Sequence, residues 1–249
     1  MQTPAFVLVH SPLVGPLTWE ATAESLRHKG HLVLVPSLGG GTDGGPPYYR
    51  KLARRVTSAV TEARLGSPVV VAGHSGAGAL LPAIADEADV HAAIFVDAIL
   101  PHPGLSWFDT APAELRQHLL DLAHGALLPR WNEWFPADAL SALLPEAGLR
   151  ERFVGELPEL PVPYFEERAP EVPSWPPARC GYVQLSEAYR EFADEAGRKG
   201  WAVRRENADH LAMLTRPDQM ADILDQFGGL LADQVADQRD QPGLQFATG

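Results

Sequence analysis

The chain holds one cysteine, Cys180, in 249 residues. No intrachain disulfide can form, and a cysteine-based zinc cluster is excluded. Basic residues are few: 20 Lys and Arg stand against 32 Asp and Glu, a formal net charge of -12. No basic stretch offsets that charge, which argues against nucleic acid and anionic membranes as partners. No apolar run approaches the length of about 18 residues that suggests a membrane span. No basic, signal-like leader is seen either, so the expected location is cytoplasmic. The nine histidines are not grouped at ligand spacing, and no metal is expected. Gly39-Gly40-Gly41 and Gly44-Gly45 lack the Lys-Ser/Thr and the dinucleotide spacing of phosphate-binding loops.

What remains is a chain able to build a full core, 45% hydrophobic and 21% charged. Its most informative stretch is Gly73-His74-Ser75-Gly76-Ala77. The preceding Pro68-Val69-Val70-Val71-Ala72 is β-branched and continuously apolar, the pattern of a buried parallel strand. Residues 76–85 read as a helix rich in Gly and Ala. Ser75 therefore sits on a sharp strand-to-helix turn, with small residues two before and two after it to relieve crowding. Such a turn lifts the hydroxyl out of the sheet, at the positive end of the next helix. It is a nucleophile elbow, with Ala77 where Gly is usual.

Further strands are expected at residues 5–9, 31–36, 92–96, 182–185 and 202–204, and helices at 18–29, 48–65, 187–197 and 217–231. This alternation predicts an α/β fold with a doubly wound, mostly parallel sheet, and the elbow marks it as the α/β-hydrolase fold. Between residues 97 and 181 the texture changes. That stretch holds 13 of the 23 prolines and four of the six tryptophans, and no buried strand is evident in it. Short helices fit residues 113–124, 137–144 and 146–154. The expected division is a core of residues 1–100 and 178–232, a helical cap of residues 101–177, and a disordered tail of residues 233–249. Trp107, Trp131 and Trp134 of the cap, with Phe108, Phe135 and Tyr164, are candidates to line an apolar pocket.

An elbow serine needs a base within reach and an acid to orient that base. Asn207-Ala208-Asp209-His210 forms a turn after the last strand, so His210 is last in chain order, where this fold places its base.

Phe6-Val7-Leu8-Val9-His10-Ser11-Pro12 through Trp19, Gly73-His74-Ser75, and Ala208-Asp209-His210-Leu211-Ala212-Met213-Leu214 together resemble the plant methylesterase and hydroxynitrile lyase family of α/β-hydrolases. The resemblance covers most of the core and implies no cofactor. It implies hydrolysis of small esters or cleavage of cyanohydrins with one triad. Two backbone N–H groups hold the oxyanion in that family. One corresponds to Gly76, and the other falls two residues after the strand-end His10, on Pro12. Proline has no N–H, and losing one such donor costs ~3 kcal/mol of transition-state stabilisation. Leu13 N–H or the Ser11 hydroxyl is the candidate substitute. Ser11 stands where the esterases have Gly and the lyases Thr. The lyases also need a Lys directly after the catalytic His, where this chain has Leu211, which disfavours cyanohydrin cleavage.

The family acid lies in the loop after the penultimate strand, here Leu185-Ser186-Glu187-Ala188. No Asp is present there, and Glu187 is one candidate. Asp97, at the C-terminal end of the strand after the elbow strand, is the other, and position favours it. The leading expectation is a cofactor-independent serine hydrolase of a small apolar ester or thioester, with a homodimer left open. A lyase, isomerase or cyclase of secondary metabolism using Ser75 and His210 as acid and base is the alternative. A ligand-binding protein with a retained triad is the third.

Overall fold

Apolar, β-branched runs separated by amphipathic segments fold into strands covered on both faces. The computed structural model describes residues 3–65, 68–176 and 179–239. The strands are β1 (Ala5–Val9), β2 (Val33–Leu34), β3 (Val69–His74), β4 (Ala92–Val96), β5 (Leu127–Leu128), β6 (Leu160–Pro161), β7 (Arg179–Gln184) and β8 (Ala202–Arg205). Six form one sheet in the order β2-β1-β3-β4-β7-β8, with every neighbouring pair parallel. Between them run α1 (Leu17–His28), α2 (Tyr48–Ala63) and α3 (Leu81–Glu87). The segment between β4 and β7 carries α4 (Trp107–Thr110), α5 (Ala113–Leu122), α6 (Ala139–Leu143), α7 (Ala147–Gly155) and α8 (Val162–Glu166). The chain closes with α9 (Arg190–Arg198), α10 (Ala212–Thr215) and α11 (Pro217–Arg239).

Successive strand residues point to opposite faces, and two cores follow from that alternation. Val7, Val9, Val71, Phe95 and Tyr182 pack with Leu52 and Val56 of α2, Ile84 of α3 and Ala196 of α9. Phe6, Leu8, Val70, Ile94 and Val183 pack with Trp19 and Leu26 of α1 and Met220 and Leu224 of α11. Each such side chain contributes about 1.5–3 kcal/mol on burial. The edge strand β8 is half-exposed and ends in Arg204 and Arg205, charges that disfavour pairing with another chain.

The elbow differs from a plain helix start. Residues Ser75–Leu80 form a 3-10 turn, and the α-helix begins only at Leu81. Pro82 lacks an N–H and suits the first turn of a helix, so it sets the start of α3. Gly78 is needed here: a Cβ would stand 2.0 Å from the Ile99 carbonyl oxygen.

The segment after β4 is helical as expected, with one addition. β5 and β6 pair antiparallel through Leu127↔Pro161 and Leu128↔Leu160. Two residues are too few to leave a period-two pattern. The segment docks on the core in two ways. Leu140, Leu144, Phe153 and Leu157 form a third core with Val14, Leu17, Leu211 and Leu214. Its acidic residues also cap two core helices. α1 and α2 follow Pro16 and Pro47, neither of which offers a capping side chain. Glu156 accepts from Leu17 N at 2.9 Å, and Glu167 from Tyr48 N at 2.7 Å and Tyr49 N at 3.0 Å. Carboxylates suit the electropositive helix start. The expected boundary at residues 177 and 178 lies outside the described residues. The last helix, α11, continues to Arg239, past the start of the expected tail. The rest of that tail lies outside the described residues.

Candidate active site

Three of the described non-glycine residues have positive φ, and two of them, Ser75 (55°) and Asp97 (43°), stand side by side. They directly follow His74 and Val96, which are partners in the β3–β4 register. Both therefore leave the C-terminal edge of the sheet, in a left-handed conformation that costs energy and recurs at functional positions. Ile99 N donates to the Ser75 carbonyl at 3.2 Å and ties the two turns together.

Asp97 is fully buried and its carboxylate is saturated with donors. Oδ1 accepts from Leu185 N at 2.8 Å and Ser186 N at 3.0 Å. Oδ2 accepts from the Ser186 hydroxyl at 2.6 Å and lies 2.8 Å from His210 Nδ1. Burial opposes ionisation, but the hydrogen bonds from His210 and Ser186 outweigh it and hold the carboxyl below its usual range. Glu187 lies elsewhere. It is exposed and pairs with Arg190, its Oε2 accepting from Arg190 Nη2 at 2.7 Å. The loop after β7 thus meets His210 through Asp97, for which it supplies backbone and hydroxyl donors.

His74 steadies His210 from behind. Its Nε2 donates to the His210 carbonyl at 2.9 Å, and the two rings lie 4.5 Å apart. Burial, then the neighbouring His210, pushes its pKa well down and leaves it neutral.

The loop after β1 is a turn, Ser11-Pro12-Leu13-Val14, closed by Val14 N to the Ser11 carbonyl at 3.1 Å. Pro12 takes the second turn position, where its fixed φ fits. Leu13 N donates to Ser11 Oγ at 3.3 Å, so the two candidate substitutes for the missing donor are bonded to each other. The turn presses on the elbow: a Cβ at Gly76 would stand 2.9 Å from Ser11 Oγ and 3.6 Å from Pro12 Cδ. His10 is buried beneath. Its Nε2 accepts from Leu38 N at 3.2 Å and its Nδ1 donates to the Ser11 carbonyl at 2.8 Å. Burial lowers its pKa to about 4.

Ser75, Gly76, Leu13 and His210 open into one cavity of about 500 Å³. Trp107, Trp131 and Trp134 all line it, as do Leu115, Leu140 and Leu143. Of the other cap aromatics, Phe135 lines it too, while Phe108 and Tyr164 are packed in the core beside it. Tyr189 also belongs to the site, although its residue type and spacing carry no catalytic motif. Its hydroxyl lies 3.3 Å from Ser75 Oγ and its ring is stacked on His210. In the sequence it is marked only by its place directly after the loop Leu185-Ser186-Glu187-Ala188. Among the described residues no cluster of three His, Cys, Asp or Glu is placed to hold a metal. No helix among them is long and apolar enough to cross a membrane.

A parallel sheet with a turned-out serine, and a buried Asp paired with a His at the same edge, define an α/β-hydrolase-fold enzyme. The chain belongs to the alpha/beta hydrolase family, whose model matches residues 6–223. No curated protein matches it. Among solved structures, it is similar to an extracellular alpha/beta-hydrolase from a Paenibacillus species, described as sharing structural and functional homology with tobacco salicylic acid binding protein 2. The identity is 19%, with 89% of this chain and 98% of that one covered and a TM-score of 0.72. A pyrethroid hydrolase from Sphingobium faniae JZ-2 is 21% identical over 93% of this chain and 100% of its own, with a TM-score of 0.64. Tomato methylketone synthase I is 16% identical over 93% and 99%, with a TM-score of 0.63.

Proposed function

We propose that the protein is a cofactor-independent serine hydrolase of small apolar esters or thioesters. Ser75 is the nucleophile, His210 the base and then the acid, and Asp97 the group that orients it. The observation that carries this reading is the 2.8 Å bond from His210 Nδ1 to a buried, fully donated Asp97. That bond fixes the tautomer with Nε2 free to take the serine proton, and it supports the imidazolium that results. Gly76 N–H, first after the nucleophile, is the oxyanion donor. The tryptophan-lined cavity favours an apolar acyl or alcohol group.

A second reading has one observation in its favour. Leu13 N–H is already engaged by Ser11 Oγ and Pro12 has none, so the loop after β1 is poor in oxyanion donors. Chemistry that builds no strong oxyanion, a lyase, isomerase or cyclase step with Ser75 and His210 as acid and base, suits such a site.

An ester panel with a fluorophosphonate probe tests the main reading. Wild type is expected to take the label on Ser75, and Ser75→Ala to lose both label and turnover while melting normally. Near-native turnover by Ser75→Ala would remove covalent catalysis and leave the second reading.

A further inference from the structure

The reaction just proposed leaves Tyr189 without a task, yet its side chain stands at the centre of the site. The phenol oxygen is 3.3 Å from Ser75 Oγ. The ring lies flat on His210, with centroids 4.9 Å apart and planes 6° apart, and it also meets the Phe192 ring at 5.7 Å. Tyr189 also lines the cavity. We propose that Tyr189 is a further catalytic residue, whose hydroxyl donates a hydrogen bond to the leaving-group oxygen of the ester. This deepens the serine-hydrolase reading and rests on it.

The leaving oxygen must lie within reach of both Ser75, which bears the acyl group, and His210, which returns the proton. A phenol stacked on the His210 ring, with its oxygen beside Ser75 Oγ, borders that spot. Rival hydroxyls in the cavity wall are engaged. Ser186 donates to Asp97 at 2.6 Å, and Thr110 to the Trp107 carbonyl at 2.9 Å. Burial, offset in part by the Ser75 bond, pushes the Tyr189 phenol up to about 12, so at neutral pH it is a donor and never a base.

The step balances without any outside reagent. Ser75 Oγ bonds to the acyl carbon and its proton passes to His210 Nε2. The carbon–oxygen bond to the leaving group then breaks, and that oxygen keeps the electron pair and takes the proton from His210. Tyr189 keeps its own proton throughout. It transfers its hydrogen bond from Ser75 Oγ to the oxygen on which charge develops, with little reorganisation.

Tyr189→Phe isolates the hydroxyl, because the stacked ring stays. The measurement is kcat/KM for one acyl group carrying alkyl, phenyl and nitrophenyl leaving groups. A hydrogen bond to a developing charge predicts a loss of roughly 10- to 100-fold for the alkyl ester. Little loss is expected for the nitrophenyl ester, whose nitrophenolate leaves readily without a donor. The fluorophosphonate labelling rate and the melting temperature should hold. Equal losses across the series, or none, would overturn the proposal. If the variant melts early, the wild type alone decides against it by showing a steep dependence of rate on leaving-group pKa. A wild type that takes no label and turns over no ester removes the serine-hydrolase reading, and this role with it.

Discussion

Asp97 receives four donors at two oxygens, and that saturation makes it hard to replace. In Asp97→Asn an amide NH₂ must face a donor, either the two backbone N–H groups or Ser186 and His210. His210 is then driven toward the wrong tautomer and loses support for its positive form. Turnover is expected to fall by up to ~10⁴-fold. Glu187→Gln should change turnover little, since its partner is Arg190 at the surface. Equal, mild losses from both variants would leave a Ser–His pair without an acid. Pro12 offers a test of opposite sign. Its Cδ, bonded to the ring nitrogen, faces Gly76, so Pro12→Ala puts an N–H toward the elbow from the same place. Hydrolysis of an activated ester should rise, by no more than the roughly 10²–10³-fold that one oxyanion donor supplies. An unchanged rate in a well-folded variant would mean the Ser11–Leu13 turn already serves the oxyanion.

The elements show the same dependence on distant partners. α2 begins after Pro47 with no side chain of its own to cap it, and Glu167, from just beyond α8, accepts from its first two N–H groups. Glu167→Ala leaves two donors short of a partner, at a cost of about 1–3 kcal/mol. It is expected to lower the midpoint of urea unfolding without changing the slope. A midpoint equal to wild type would mean that water replaces the carboxylate at no cost. Such links explain what the sequence could and could not disclose. Ser75 and His210 were legible because each carries its signal locally, in a strand–turn–helix junction and in chain order. Asp97 was legible as a position, the end of the strand beside the elbow, although Glu187 competed for the role. Tyr189, Glu156 and Glu167 were not legible, because their meaning lies in partners more than a hundred residues away in the chain. The 3-10 turn at the elbow was marked by Pro82, but helical composition masked it.

At the scale of the whole molecule, buried histidines decide how the fold responds to acid. Neutral His10 donates from Nδ1 to the Ser11 carbonyl and accepts at Nε2 from Leu38 N, tying the end of β1 to the loop after β2. A second proton on the ring would set N–H against N–H. Burial accordingly lowers its pKa to about 4, whereas an unfolded histidine titrates near 6.5. Between those values the unfolded chain binds the extra proton and the folded one does not, so stability falls as pH falls, by about 3 kcal/mol for this group. His74, pushed down by burial and by His210, acts in the same direction from the same starting pH. Asp97, held below its usual range, adds stability above the ordinary carboxylate pKa and loses it at lower pH, as its folded form takes a proton. The melting temperature is therefore expected to stay level near pH 7–8 and to drop steeply from about pH 6.5 to 4. His10→Gln keeps an acceptor for Leu38 N but cannot titrate. It should melt lower than wild type at pH 7 and show a flatter fall between pH 6.5 and 4, so that the two curves converge in acid. Curves that stay parallel across that window would show that His10 is not a source of the acid sensitivity, and would leave His74 and the carboxylates to account for it.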